Sequence, residues 1–311
     1  NKRAIRTKFH NQRIIFSLLL VSSVSFMLLF SGCDKEEQIP SYIYISEFVL
    51  DTKNTNFGSN LHDFVDAWVY ANNKLIGVFE LPATIPILES GSKQLTIIAG
   101  IRKNGLYYER EAYPFLKPYD IQHNFIPAQV DTIKPVVVYR ENIKMPWIED
   151  FEDNTLSFQG SGNTTNYDTM DITSNAAEVF EYNGTTSKYS GRIAIPNGLR
   201  IFENSSVESF KLPRSGQEIY LEINFRCNTE FVTGIYPITG SLVTSVPIVN
   251  FYSTVDADGI MQWKKAYISL KEDVNNPEYA GAEFKAFIRA QTNTSSGTPL
   301  IYIDNVKLVH Y

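Results

Sequence analysis

The feature that most restricts the fold is the recurrence of short apolar runs rich in Val, Ile, Tyr and Phe, separated by Gly, Asn and Pro. Almost no stretch of the chain shows the apolar spacing of a long helix. Runs of this length and composition, bounded by turn residues, are typical of β-strands. The sequence therefore predicts an all-β protein.

Two turn signals organise the first group of strands. In DAWVYANNKLIGVFEL, Asn72 and Asn73 can adopt the positive φ angles of a tight turn, which predicts a hairpin. KQLTIIAGI and LYYEREAY are joined through Asn104 and Gly105, and Asn-Gly between two apolar alternations is the strongest hairpin signal in the chain. We expect residues 41–144 to form a small N-terminal β-sandwich.

Part of this region resembles a known small module. The segment VYANNKLIGVFELPATIPILESGSKQLTIIAGI, residues 69–101, resembles the PEGA-type β-sandwich, in which a short hairpin with a Gly leads through a Pro-containing loop to another strand. Such modules occur in cell-surface proteins as spacers or binding units. The resemblance implies an Ig-like sandwich and carries over no catalytic residue.

A second group of strand-like segments occupies residues 145–311. MPWIEDFEDN opens this region, PLIYIDNVKLVHY closes it, and QEIYLEINFRC and WKKAYISL lie between them. Together they resemble the jelly-roll modules found as carbohydrate-binding domains, over a span from Trp147 to Tyr311. The resemblance implies a β jelly-roll sandwich whose first and last strands pair. Many jelly rolls that bind no sugar close with the same pattern, so it does not carry function by itself.

The first 32 residues have the layout of a signal peptide. A basic stretch without acids, residues 2–13, precedes an apolar run from Ile14 to Phe30 that is interrupted only by serines. About 17 apolar residues is also the short limit for a membrane-spanning helix, so a permanent transmembrane anchor is the alternative.

A cysteine follows this apolar run. The four residues Phe30-Ser31-Gly32-Cys33 resemble a bacterial lipobox, apart from Phe30 in place of the usual Leu. The resemblance implies cleavage before Cys33 and attachment of lipid to its thiol. Each buried methylene contributes roughly 0.8 kcal/mol, so acyl chains on Cys33 would hold the protein on a membrane.

The acidic run after the cysteine has two interpretations. Asp34, Lys35, Glu36 and Glu37 resemble the short signal that exports lipoproteins of the Bacteroidetes group to the outer face of the outer membrane. Alternatively, residues 33–40 are a solvated tether whose like charges keep it extended. We expect an outer-membrane lipoprotein, anchored by lipid and facing the cell exterior.

Net charge and cysteine content argue against nucleic-acid binding and against a nucleophilic cysteine. Removal of residues 1–32 takes away five positive charges and no negative ones, so the formal net charge falls from −6 to −11. An acidic protein of this kind is not expected to bind nucleic acid, whose phosphates need Lys and Arg. Cys227 is the second of two cysteines and shares one face of LEINFRC with Leu221, Ile223 and Phe225, so we expect a core residue and not a nucleophile.

No motif for catalysis is present, and we expect a protein that is not an enzyme. The sequence contains acids but no pattern that places two of them across a cleft, as a glycosidase requires. A Gly-x-Ser-x-Gly elbow and a phosphate-binding Gly-rich loop are both missing. His62, His123 and His310 are scattered without metal-ligand spacing.

Acids cluster at the start of the second region. Glu149, Asp150, Glu152 and Asp153 crowd together, and Asp304 lies on the final strand. The jelly-roll resemblance implies a structural calcium between the first and last strands, with part of its oxygen shell from Glu152, Asp153 and Asp304. The alternative is a solvated acidic entrance in which Asp304 bonds a turn. No other cofactor is expected.

Aromatic side chains are the candidates for ligand binding. They are Tyr107, Tyr108, Tyr113, Phe115 and Tyr119 in LYYEREAYPFLKPYD, together with Trp263. Flat rings beside polar groups suit the C–H faces and hydroxyls of sugars. The alternative is that the first five pack the seam between the two sandwiches and that Trp263 packs against its own sandwich.

Two functional hypotheses follow from the anchor, the export-like run and the jelly-roll outline. The first is non-catalytic binding of extracellular glycan at the cell surface. The second is a structural, assembly or adhesin role, in which the chain docks onto an outer-membrane protein complex. A groove with exposed rings would favour the first hypothesis, and a large exposed apolar patch would favour the second.

Overall fold

A computed structural model describes residues 38–52, 57–160, 169–182, 184–294 and 297–311. The predicted signal peptide, Cys33 and the acidic residues 34–37 lie outside these ranges. Among the described residues, no helix combines the length and the apolar character needed to cross a membrane. The described chain is all-β, as the sequence predicted, and contains two sandwiches in succession.

Within the described residues, the N-terminal sandwich contains ten strands. They are β1 (Ser41–Ile45), β2 (Val49–Leu50), β3 (Asp66–Ala71), β4 (Lys74–Glu80), β5 (Ala83–Ile87), β6 (Gly91–Arg102), β7 (Arg110–Ala112), β8 (Tyr119–Phe125), β9 (Val130–Ile133) and β10 (Val136–Val137). One sheet has the order β5-β1-β9, and β2 pairs with β10. The other has the order β4-β3-β6, with β7 and β8 sharing the outer edge of β6.

The two predicted hairpins of this sandwich differ in outcome. Asn72 and Asn73 take φ angles of 51° and 62° between the antiparallel strands β3 and β4, which confirms the first hairpin. Asn104 and Gly105 also have positive φ, 55° and 70°, but β7 begins only at Arg110. The second connection is therefore longer than an Asn-Gly turn and includes residues that the sequence assigned to a strand.

The C-terminal region is a jelly-roll β-sandwich. Its strands are β11 (Lys144–Glu149), β12 (Phe158–Gly160), β13 (Asp171–Thr173), β14 (Glu181–Tyr182), β15 (Thr185–Thr186), β16 (Ser190–Ala194), β17 (Gly198–Ser206), β18 (Ile219–Cys227), β19 (Phe231–Thr239), β20 (Leu242–Val243), β21 (Val246–Phe251), β22 (Lys264–Ser269), β23 (Glu283–Thr294) and β24 (Leu300–His310). A short α-helix, Lys271–Asn275, and a 3-10 turn, Pro277–Tyr279, precede β23.

Two sheets, each with six strands in the described part of the chain, enclose the jelly-roll core. One has the order β13-β16-β24-β18-β22, with β11 also paired to β24, and the other has the order β12-β17-β23-β19-β20, with β21 also paired to β19. The first strand, β11, lies antiparallel to the last, β24, with Trp147 opposite Leu308. This pairing confirms the prediction that the first and last strands meet.

Strand β18 shows how alternation divides its residues between two cores. Leu221, Ile223, Phe225 and Cys227 point into the jelly-roll core, as predicted. Burial raises the pKa of the Cys227 thiol to about 11, so this cysteine is a core residue and a poor nucleophile at neutral pH.

The opposite face of the same sheet is also buried. Tyr220 on β18, Tyr267 on β22 and Val309 on β24 belong to the apolar core of the N-terminal sandwich. Pro40–Tyr311 consequently form one compact unit. The face that a free jelly roll would expose to water is here the contact surface between the sandwiches.

Candidate functional site

Aromatic rings fill the closed part of the contact between the sandwiches, which we term the closed seam. The Tyr113 ring lies 5.2 Å from the Tyr267 ring and 6.1 Å from the Tyr220 ring, centroid to centroid. Phe115 packs edge-on against Tyr113 and Tyr220. Ring pairs at these separations add to the free energy gained by burying their area, so they hold the sandwiches together.

A buried charge cluster crosses the closed seam. Lys265 Nζ lies 2.7 Å from a Glu222 carboxylate oxygen, and the Tyr113 hydroxyl donates to the same carboxylate. Burial raises the pKa of Glu222, but Lys265 and Lys307 outweigh it, and the net pKa is lowered. Lys307 donates to the Ser59 carbonyl over 2.7 Å, and burial followed by repulsion from Lys265 lowers its pKa to about 7.

The long β6–β7 turn binds the jelly roll directly. The Asn104 backbone N–H donates to the Tyr267 carbonyl over 2.8 Å, and the Ser269 backbone N–H donates to Asn104 Oδ1 over 2.9 Å. These two bonds continue the hydrogen bonding of β22 into the N-terminal sandwich. The turn is therefore held against β22, and its residues 104–106 line a cavity between the sandwiches.

A cavity of about 610 Å³ opens beside the closed seam, and we term it the seam cavity. The N-terminal sandwich contributes residues 61–63, 102 and 104–106, and the jelly roll contributes 180, 182, 224–225, 248–253 and 263–267. This volume lies within the range of small-molecule and cofactor sites. Both sandwiches supply its walls, so its shape depends on how they dock.

Three aromatic side chains surround the opening. Tyr252 is 67% exposed and Tyr182 is 41% exposed, so both present ring surface to solvent. Trp263 is half-buried in the wall, with the Phe180 ring edge-on at 5.0 Å. The Arg226 guanidinium lies 5.1 Å from the Trp263 ring centroid. Trp263 is therefore held in place by its own sandwich and at the same time lines the cavity.

Polar atoms in the wall lack hydrogen-bond partners within the described part of the chain. They are Arg102 Nε, Trp263 Nε1, Asn224 Oδ1 and Lys265 Nζ, of which the last has an ion pair with Glu222. A buried polar group without a partner costs roughly 1–3 kcal/mol. Natural proteins keep few such groups, and a cavity wall that collects several of them indicates a surface suited to a polar ligand.

Two titratable groups lie at the N-terminal side of the cavity. Burial, followed by repulsion from Lys265, lowers the pKa of His62 to about 4, so its imidazole is neutral at pH 7. Burial raises the pKa of Asp63, although Arg102 and Lys265 oppose that shift. The Asp63 backbone N–H donates to the Tyr267 hydroxyl over 3.0 Å, which ties this segment to the closed seam.

The predicted aromatic cluster separates into three environments. Tyr113 and Phe115 are 1% and 0% exposed in the closed seam, where docking of the jelly roll covers their rings and leaves no surface for a ligand, as in the seam-packing alternative that the sequence left open. Tyr107 and Tyr108 are exposed but lie outside the seam cavity. Tyr119 lines a separate groove of about 590 Å³ between β8 and β9.

The predicted calcium ligands have other bonding partners. Glu152 accepts from the backbone N–H groups of Lys188 and Tyr189, and Asp153 accepts from Thr155. Asp304 is buried and accepts from the Ser190 hydroxyl over 2.5 Å. Among the described residues, no group of three His, Cys, Asp or Glu side chains has the geometry to hold a metal ion.

Sequence reasoning identified Trp263 and missed the rest of the seam cavity. Tyr182, Tyr252 and Arg102 are far apart in the chain and meet only because the sandwiches dock. One signal was available: Tyr252 directly follows the alternating strand VPIVNF, where an exposed ring has no core to enter.

Comparisons with known proteins give limited similarity. No protein-family model and no curated protein matches the sequence. A solved structure described as carbohydrate-binding modules of the β-sandwich superfamily has a TM-score of 0.36 and 14% identity, over 78% of this chain and 84% of its own. A cleaved adhesin domain of Lys-gingipain from Porphyromonas gingivalis has a TM-score of 0.34 and 15% identity, over 52% and 96%.

A third solved structure is a family 11 carbohydrate-binding module from Clostridium thermocellum, in complex with a β-1,3-1,4-mixed-linked tetrasaccharide. It has a TM-score of 0.33 and 14% identity, over 53% of this chain and 94% of its own. Similarity of this size does not carry function, which has to be argued from the site.

Proposed function

We propose that this chain is a non-catalytic lipoprotein of the outer membrane that binds extracellular glycan in the seam cavity. The observation that carries the proposal is the cavity itself, with exposed Tyr182 and Tyr252 at its opening and Trp263 in its wall. A pyranose offers C–H faces for such rings and hydroxyls for the polar atoms between them.

The acids of the cavity support binding over hydrolysis. Asp63 is the single carboxylate among the described residues that line it. Glycoside hydrolysis in most families requires two carboxyl groups on either side of the scissile bond, about 5–10 Å apart. With Asp63 as the single carboxylate of its described lining, the seam cavity can bind a sugar but lacks the second carboxyl group that hydrolysis requires.

A glycan array followed by calorimetry tests the proposal. We expect the purified protein to bind an extracellular glycan, and Tyr252→Ala to weaken binding about two- to tenfold, because one ring stack contributes roughly 0.5–1.5 kcal/mol. Tyr108→Ala is the matched control, since it removes an exposed ring outside the cavity. An array without hits, or equal losses in both variants, would overturn the proposal.

The proposed location is tested on intact cells. We expect externally added protease to cut the wild-type protein and to spare a variant in which Asp34, Lys35, Glu36 and Glu37 are replaced by Ala. Cleavage of both proteins only after lysis would place the chain on the periplasmic side. That outcome would remove the case for an extracellular ligand.

Docking onto an outer-membrane protein is the second candidate function. Leu242 and Val243 on the edge strand β20 are 66% and 56% exposed, and exposed apolar residues of this kind favour a protein contact. Co-purification of a membrane protein that is lost in the double variant Leu242→Ser/Val243→Ser, together with an empty glycan array, would favour this candidate.

A further inference from the structure

We infer that the glycan taken by the seam cavity is acidic and carries a carboxylate or sulfate group beside Lys264. The inference rests on the proposed function and names the class of its ligand. It follows from the charges of the cavity wall, from the pairing of each charge, and from the polar atoms that lack partners.

The cations of the cavity wall outnumber its carboxylates. Arg102, Lys264 and Lys265 line the cavity, with Asp63 as the acid among the described lining residues. The chain as a whole has a formal net charge of −6, so this excess of positive charge is local. A local cationic wall in an acidic protein attracts anions to that site and repels them elsewhere.

The three cations differ in how far they are already neutralised. Lys265 is buried against Glu222 at 2.7 Å, and Arg102 lies 2.9 Å from Glu80. Lys264 is exposed and makes no salt bridge within the part of the chain that the structure describes. Its ammonium is therefore the cation of the wall with full capacity for an anionic ligand.

The polar atoms without partners point to the same chemistry. Arg102 Nε and Trp263 Nε1 are donors without acceptors among the described residues, whereas Asn224 Oδ1 is an acceptor without a donor. A carboxylate or sulfate only accepts hydrogen bonds, and a sugar hydroxyl both donates and accepts. These atoms are buried by the wall, so small rotations of neighbouring side chains would precede direct contact.

Native gel electrophoresis in the presence of polysaccharide tests the inference. The acidic polymers are polygalacturonate and alginate, which carry carboxylates, and dextran sulfate; galactan and mannan are the neutral ones. The variants are Lys264→Gln and Lys211→Gln, which each remove one exposed lysine and change the charge of the protein equally. Lys211 is outside the cavity, so it controls for non-specific attraction to polyanions.

We expect at least one acidic polymer to retard the wild type, with about tenfold weaker affinity for Lys264→Gln and unchanged affinity for Lys211→Gln. The carboxylate and sulfate gels then distinguish the two sources of negative charge. Equal retardation of Lys264→Gln and wild type overturns the inference. Retardation by neutral polymers alone also overturns it but leaves the proposed function standing, whereas no retardation in any gel, with an empty array, contradicts both.

Discussion

The segment from Trp263 to Tyr267, which leads into β22, faces the N-terminal sandwich in two different environments. Tyr267 is 2% exposed and enclosed by the rings of Phe64 and Tyr113, at the border between the closed seam and the seam cavity, whereas Trp263, four residues earlier, is half-buried in the wall of the cavity. In the closed seam the rings pack on one another, and Lys265 forms an ion pair with Glu222. The seam cavity has exposed rings and polar atoms without partners. The difference indicates that the closed seam stabilises the docked arrangement and leaves the cavity free to bind.

The largest expected effect is on the closed seam. Phe115→Ala removes a fully buried ring that packs on Tyr113, Tyr220 and Tyr311, so we expect the free energy of unfolding to fall by about 3–5 kcal/mol. Urea denaturation measures it. Tyr108→Ala, on an exposed ring, should stay within about 0.5 kcal/mol of wild type. Equal values for the two variants would contradict the assignment of Phe115 to the seam.

Asp304 is a buried carboxylate outside the closed seam, and its surroundings differ from those of Glu222. Glu222 has cations beside it, but Asp304 makes no salt bridge among the described residues, and burial raises its pKa to about 7. Its unfolded pKa is about 3.9, so the folded state holds the extra proton between pH 4 and 7. Wild-type stability from this group is thus present below pH 4 and lost as the pH rises through 7, by about 4 kcal/mol in all.

The variant Asp304→Asn removes this titration and keeps an oxygen for the Ser190 hydroxyl. We expect its melting temperature relative to wild type to rise from pH 4 to pH 7 and to stay level above that. A difference that does not vary with pH would mean that Asp304 titrates normally. Scanning calorimetry at half-unit pH steps provides the measurement.

The charge cluster of the closed seam should give a somewhat smaller loss. Lys265→Met leaves Glu222 buried with Lys307 and Tyr113 as its remaining partners, so we expect a loss of about 3 kcal/mol in the free energy of unfolding. Adding Glu222→Gln to the same protein should restore part of that loss, because the unpaired charge is then gone. If Lys265→Met is as stable as wild type, the Lys265–Glu222 pair contributes nothing to the free energy of unfolding.

Alternation and turn chemistry made much of the fold predictable. The Asn72-Asn73 hairpin and the inward face of β18 follow from turn residues and side-chain periodicity, whereas the pairing of β11 with β24 was implied by the jelly-roll resemblance. The hairpin and the face of β18 depend on neighbours in sequence or on the pattern of a single strand. They do not require knowledge of how two sheets dock.

The seam cavity depends on docking, and the sequence alone did not predict it. For Tyr113 and Phe115 the sequence left two interpretations open, ligand binding and packing between the sandwiches, and the opposing Tyr220 and Tyr267 explain their burial at the seam. The length of the β6–β7 turn has the same origin, since Asn104 bonds the jelly roll and not only its own hairpin.

Hydrogen–deuterium exchange with and without the glycan that binds best locates the binding surface on the protein. We expect slower exchange of backbone amides in residues 250–253 and 263–264 when the glycan is bound, and no change at Tyr107 and Tyr108. Protection confined to the Tyr107–Tyr108 surface or to the β8–β9 groove, with none at residues 250–253 and 263–264, would contradict the assignment of the seam cavity as the binding site.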